Sequence, residues 1–259
     1  MLQILKIEWL KVKNYRAFWI LFCLYILAIF GANIIAYSIN NQIKGNTGQF
    51  VPSLYAFPTT WHMTAYVSTF LFLFPGLLII NHTGNEFSFK TNRQNIIDGW
   101  SRKQFITVKL LFAVILSFVA TIAVFLTGLL IGTIASKGGN ESMTENLHYI
   151  PYFFLQTLLY CVFAVFIVTW VRKSGLSIGI YFGYCMIIEN IISSALFWTF
   201  RESGNEKFNQ VLPLQSSDSL IRTPKLSSMM PFGNLSDTTL IVLTLCYIAL
   251  FSFLSYRSY

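Results

Sequence analysis

Six apolar runs, near residues 17–39, 61–81, 104–135, 150–171, 175–200 and 237–256, decide most of what this chain can fold into. Each is long enough to cross a hydrocarbon core of roughly 30 Å, which takes about 20 apolar residues in a helix. They are apolar on all sides, unlike the alternating segments of roughly 10 residues that build a membrane barrel. The expectation is an all-α membrane protein with six transmembrane helices. At 259 residues, the spans and their connections leave no length for a soluble catalytic domain.

Charge gives the orientation. Lys6, Lys11, Lys13, Arg16, Lys90, Arg93, Arg102, Lys103, Lys109, Arg172, Lys173 and Arg257 fall on one side of the six spans. Only Lys44, Lys137, Arg201, Lys207, Arg222 and Lys225 fall on the other. Basic residues at span ends mark the cytoplasmic side, so both termini are expected there. The same rule accounts for the excess of positive charge without a nucleic-acid partner. Basic residues precede the first run, but no short-residue cleavage site follows, so the run reads as a retained span rather than a signal peptide. Cys23, Cys161, Cys185 and Cys246 sit inside apolar runs at neither metal-ligand nor disulfide-framework spacing.

Before the first span, Leu2, Leu5, Trp9 and Val12 recur at helical spacing, with Gln3, Lys6, Lys11 and Lys13 mostly opposite. Residues 1–16 therefore read as an amphipathic helix in the membrane interface, leaving 17–259 as the membrane domain. The third run is expected to tilt or to project from the bilayer on the cytoplasmic side, because it exceeds the hydrocarbon thickness.

The polar stretch from Glu86 to Lys109 is the most structured of the connections. Thr91-Asn92-Arg93-Gln94 has the form of a helix capping box, and Ile96 and Ile97 would give a short helix an apolar face. Gly99 can end that helix in a left-handed conformation. A second box, Ser101-Arg102-Lys103-Gln104, would open the third span. Two capped helices joined through Gly99 and Trp100 make a lever. An ordinary interfacial loop whose charges only set topology is the alternative from spacing alone.

These features resemble the permease subunits of ABC-2 type transporters. The resemblance rests on the amphipathic start, the six spans, Glu86, the run Asn92-Arg93-Gln94-Asn95-Ile96-Ile97-Asp98-Gly99-Trp100-Ser101-Arg102 with Lys109, and Leu212-Pro213-Leu214 in the fifth loop. Glu86 and the Ser101-Arg102 pair are the more specific matches. Lys90-Thr91-Asn92 departs from the Gly-Thr pair of many relatives. The resemblance implies a connecting helix at the N-terminus, a cytoplasmic coupling helix at about 90–99, and a small extracytoplasmic cap over 201–236. It also implies a multi-pass protein of the bacterial inner (cytoplasmic) membrane that acts in a dimer of like or identical permease subunits.

Under that resemblance Glu86, Thr91, Asn92, Arg93, Gln94, Ile96, Ile97, Asp98, Gly99, Ser101 and Arg102 would couple the chain to separate ABC ATPase subunits. Those subunits would bind ATP and Mg. This chain, which lacks the Gly-x-x-x-x-Gly-Lys-Ser/Thr phosphate cradle, would bind no cofactor or metal and would not be an enzyme. The function expected is that of an exporter; a non-transporting sensor or scaffold that docks the same ATPase is the alternative.

Two further features lie in the fifth run. Gly175, Gly179 and Gly183 share one helical face and suit a subunit or bundle interface, the alternative being the ordinary tolerance of Gly in membrane helices. They enclose Ser177 in a Gly-x-Ser-x-Gly string, but a hydrolase elbow needs a strand-to-helix turn that a membrane helix lacks. Glu189, beside Asn190, is an acidic residue deep in an apolar run. Such a group faces a partner, a cavity or the bundle interior, so the pair is a candidate gate or pathway site, or else a hydrogen-bonded structural element.

Overall fold

The computed structural model describes residues 2–47, 54–97, 99–136, 143–201, 206–223 and 235–259. The chain folds into helices, with no strand among the described residues. They are α1 (Leu2–Lys13), α2 (Arg16–Thr47), α3 (Thr60–Thr69), α4 (Leu73–Ser88), α5 (Thr91–Ile97), α6 (Arg102–Ala135), α7 (Tyr149–Val171), α8 (Ser174–Gly183), α9 (Glu189–Arg201), α10 (Pro213–Asp218) and α11 (Asp237–Ser258). A π-helical turn, Tyr184–Ile188, joins α8 to α9, and a 3-10 turn, Glu206–Val211, precedes α10.

Five helices or helix pairs are long and apolar enough to span by themselves: α2, α6, α7, α8 with α9, and α11. Helices α3 and α4, bent by 47° at their junction, are long and apolar enough only as a pair, as a broken sixth span or a re-entrant loop. The single second helix expected from the sequence is therefore broken. Pro75 supplies the reason, because it has no N–H to donate and its ring crowds the carbonyl four residues back, at Leu71. The chain crosses the break on tight three-residue hydrogen bonds, from Leu71 N to Ser68 O and from Phe72 N to Thr69 O, both 3.0 Å.

Helix α7 is the hub. It is apolar on every side, as a helix surrounded by others must be, and 67% of its most apolar stretch is buried, against 22% for α2 and for α11. It packs on α4, α6 and α11, and also on α3, α8 and α10. Ile79 and Ile80 of α4, Leu159, Val162, Phe163 and Val165 of α7, and Tyr181 of α8 fill this core.

Close approach between helices uses glycines of α4 and α6. A Cβ at Gly76 would lie 2.1 Å from the Tyr181 hydroxyl, and one at Gly84 would lie 2.9 Å from Ser174 Cα. Gly128 and Gly132 give the same access to Trp61 and to Phe57. At Gly175, Gly179 and Gly183 a Cβ would meet nothing within 4 Å. Helix α8 packs on α4 through its opposite face, so the glycine stripe is turned outward from this chain.

Candidate functional site

The segment between the second and third spans folds as a short helix between two turns. Its first turn is Lys90, in the left-handed region at φ 56°. Thr91 is already helical, and its hydroxyl donates to Glu86 O at 3.4 Å. The Thr91 to Gln94 box is thus not the cap that the spacing predicts; the hydroxyl instead serves a carbonyl at the end of α4. At the other end Gly99 takes φ 97° and its N–H returns to Ile96 O at 3.1 Å, the left-handed stop expected of it.

The second box forms as read: Ser101 Oγ accepts from Gln104 N at 3.2 Å, and Gln104 Oε1 accepts from Ser101 N at 2.8 Å. It starts α6 within two residues of Gly99. Thr91, Gln94, Ser101 and Arg102 are exposed, and Asn92 is half-buried beside the Tyr259 hydroxyl. Ile97 is 78% exposed and Ile96 38%. Asp98 lies outside the described residues, as does the side chain of Arg93.

Beneath this exposed helix is a buried ionic node, most of which spacing did not single out. Lys109 of α6, 1% exposed, places its ammonium between two carboxylates. It donates to Glu86 Oε1 of α4 at 2.7 Å and to Glu8 Oε1 of α1. Lys11 of α1 reaches the same Glu86 oxygen at 3.2 Å and lies 3.6 Å from Glu8 Oε2. His82, one turn before Glu86, sets Nε2 2.8 Å from Glu8 Oε1. Two carboxylates face two ammonium groups, so charge within the node is balanced with a neutral imidazole. Burial alone would push the Glu8 carboxyl up; Lys109 and His82 outweigh it and hold the group well below the usual carboxylate range.

Glu8, His82 and Glu86 bring their ligand atoms within 4.8 Å of one another, a grouping seen in metal sites. Here Lys109 Nζ takes the position of the cation. Tyr15, in the elbow between α1 and α2, extends the polar contacts by donating to Asn81 Oδ1 at 3.1 Å and accepting from Asn85 Nδ2 at 2.7 Å. A cavity of about 210 Å³ lies against the node, lined by Lys11, Tyr15, His82, Asn85, Glu86 and Thr91 among others.

Helix α1 therefore meets the bundle through its Glu8, Lys11 and Val12 side, while Trp9 and Leu10 face outward. Of the expected apolar stripe, Val12 is buried against the bundle and Trp9 is exposed, while the side chains of Leu2 and Leu5 lie outside the described residues. A lysine within an apolar run, and a His and a Glu one turn apart at the end of another, were the available signals for the node. Read as topology charges and loop residues, they remained separate.

The second candidate pair lies toward the other end of the bundle. Glu189, at the first residue after the π turn, is buried, and its Oε1 accepts the backbone N–H groups of Leu214 at 2.6 Å and Gln215 at 2.9 Å. Asn190 donates to the carbonyls of Cys185 and Met186, both at 3.1 Å, and accepts from Gln215 Nε2 at 3.3 Å. The π turn leaves carbonyls off the regular ladder, and Asn190 takes up two of them. Together the pair fastens α10 to α9.

Comparison with known proteins gives an independent result. A family model described as ABC-2 family transporter protein matches residues 4–188, from α1 through the π turn. No curated protein matches the chain. The matched segment contains the ionic node and α5 and covers well over half the sequence, and on that basis the chain is a multi-pass membrane protein that belongs to the ABC-2 transporter family.

Proposed function

We propose that this chain is the permease subunit of an ATP-driven exporter, with α5 as the helix on which a separate ATPase subunit docks. The observation that carries this reading is the combination of an exposed Ile97 with the buried node below it. An apolar side chain displayed on a short polar connection suits a protein partner that covers it. The helix is joined to α4 through the turn at Lys90 and to α6 through the turn at Gly99, and Lys109 joins α4 and α6 to each other and to α1. A push on α5 would then move three elements together rather than flex a loop.

In this mechanism two permease subunits pair with two ATPase subunits that hold ATP and Mg. Closure of the ATPase pair moves each α5, and α6 carries the movement across the membrane as a rigid body, switching the interface between two arrangements. The outward glycine face of α8, Gly175, Gly179 and Gly183, suits contact with the second permease subunit. Glu189 and Asn190 tie the span that bears this face to α10, which makes them the gate-linked pair at the far side. The concentration of Lys and Arg on one side of the spans supports a cytoplasmic position for α5 and both termini, and the family supports a bacterial inner membrane.

The test is a tagged pull-down from mild detergent with wild type and Ile97→Asp. Copurification of an ATP-binding-cassette ATPase with the wild type, and its loss from a folded variant, is the expected result. Retention of the ATPase by Ile97→Asp would exclude α5 as the dock.

A further inference from the structure

The break between α3 and α4 opens a second cavity, of about 220 Å³, on the side where α7 and α10 pack. Tyr66 and Phe70 come from the last turn of α3, and Phe72 from the break itself, so aromatic rings form much of its wall. At the polar end are Gln156 of α7 and Asp218, the last residue of α10. Discontinuous spans are where transporters commonly place binding groups, because only there can irregular backbone and polar side chains line a cavity at membrane depth.

Among the described residues the Asp218 carboxylate is held by neutral donors. Gln156 Nε2 donates to Oδ1 at 2.8 Å, and the Tyr160 hydroxyl lies 3.1 and 3.0 Å from the two oxygens. Among the described residues no Lys, Arg or His bonds to it, and the nearest basic group of the same connection, Arg222, is engaged with Ser219 O, Leu235 O and Asp237. Glu189, close enough to interact with Asp218 electrostatically, adds a second carboxylate without a basic partner. Asp218 is half-buried and lines the cavity together with Tyr66, Phe70 and Phe72.

A carboxylate bonded to neutral donors in a cavity walled by aromatic rings is an arrangement that recognises an organic ammonium group. The carboxylate supplies charge, and the rings supply a negative π face without competing donors. The volume admits a trimethylammonium head or a primary ammonium with its first methylenes. Phe70, 65% exposed, carries the apolar wall of the cavity to the surface. We propose that the cavity between the α3–α4 break and α10 binds the ammonium head of an amphiphile, with its alkyl chain passing Phe70 into the membrane. This site stands apart from the docking role of α5, since its occupancy needs no ATPase.

The experiment is photolabelling of the purified full chain in phosphatidylglycerol nanodiscs, with a diazirine-bearing alkyltrimethylammonium probe and its neutral tert-butyl isostere. The expected result is cation-selective labelling of peptides containing residues 66–72 or 214–221. Asp218→Asn, which keeps hydrogen bonds to Gln156 and Tyr160, should lower labelling by about ten-fold, the scale of a desolvated charge and cation–π contact. Phe70→Ala, at an exposed position, should lower it several-fold and serves if Asp218→Asn does not fold. Equal labelling by the two probes, or undiminished labelling of the folded variants, would overturn the proposal. Repeating the measurement in phosphatidylethanolamine nanodiscs separates two occupants: loss of labelling assigns the site to a lipid headgroup, and persistence assigns it to a free amphiphile.

Discussion

Lys109 and Glu86 meet at 2.7 Å across the base of the segment that carries α5, closing 23 residues of chain with one buried ion pair. Their contact makes the exposed helix an extension of the bundle rather than a loop hung from it. Because Glu8 shares the same ammonium, the N-terminal helix is fastened to the same point. Each element near α5 is thus anchored by charge where it enters the protein.

Removing the shared cation should be more damaging than removing the node as a whole. Lys109→Met leaves Glu8 and Glu86 buried without their main partner, a loss of about 3–5 kcal/mol for a broken buried pair. A combined Glu8→Gln, Glu86→Gln, Lys109→Met variant carries no orphaned charge and should recover much of that loss. Thermal unfolding in detergent checks the order, wild type above triple above single.

The outcome at Glu8 has a defined sign with pH. Its carboxyl is held below the ordinary value by the folded protein, so its stabilisation is present above about pH 4.5 and is lost as pH falls below that value toward its folded pKa. Glu8→Gln should therefore unfold at lower temperature than wild type at pH 7, with the gap narrowing below pH 4.5. A gap that stays constant on acidification would contradict the node as described.

At Asp218 the sign reverses. Burial pushes its carboxyl up to about 6, against the Gln156 and Tyr160 hydrogen bonds that pull it down. Among the described residues Tyr66 on α3, Tyr160 on α7, Cys185 in the π turn and Glu189 on α9 are titratable groups around it, none of them basic. Folding then favours the protonated form, and stability falls as pH rises from about 4 to about 6. Asp218→Asn should melt above wild type at pH 8 and alongside it at about pH 4.

The two sets of glycines should behave differently when alanine replaces them. At Gly84 the new methyl would meet the backbone of Ser174, and overpacking of this kind costs about 1–3 kcal/mol. At Gly175 and Gly179 it meets nothing in this chain. Gly84→Ala should lower the melting temperature of the single chain. Gly175→Ala with Gly179→Ala should leave it unchanged and weaken self-association, read by sedimentation.

The all-helical membrane class was legible because apolar runs of this length have few other uses, and the Ser101 cap was legible because its partners lie three residues apart. The bend in the second span was legible in principle at Pro75, inside an apolar run. What could not be read was joining at a distance. Glu8 and Lys109 are 101 residues apart, and nothing in local spacing says that a charge on an amphipathic helix faces inward. Asp218 was lost for the same reason: its partners are on α7, 58 and 62 residues away. The π turn before Glu189 has no periodic signature at all, and it shows only in the two carbonyls that Asn190 receives.

The most direct measurement places a photo-crosslinking amino acid at Ile97 in the intact membrane, with the exposed Trp9 as the comparison position. The account predicts an adduct between position 97 and an ATP-binding-cassette ATPase, stronger than any at position 9 and lost when the node is broken by Lys109→Met in protein that still inserts. An ATPase adduct at neither position, or one at position 9 alone, would contradict the assignment of α5 as the dock.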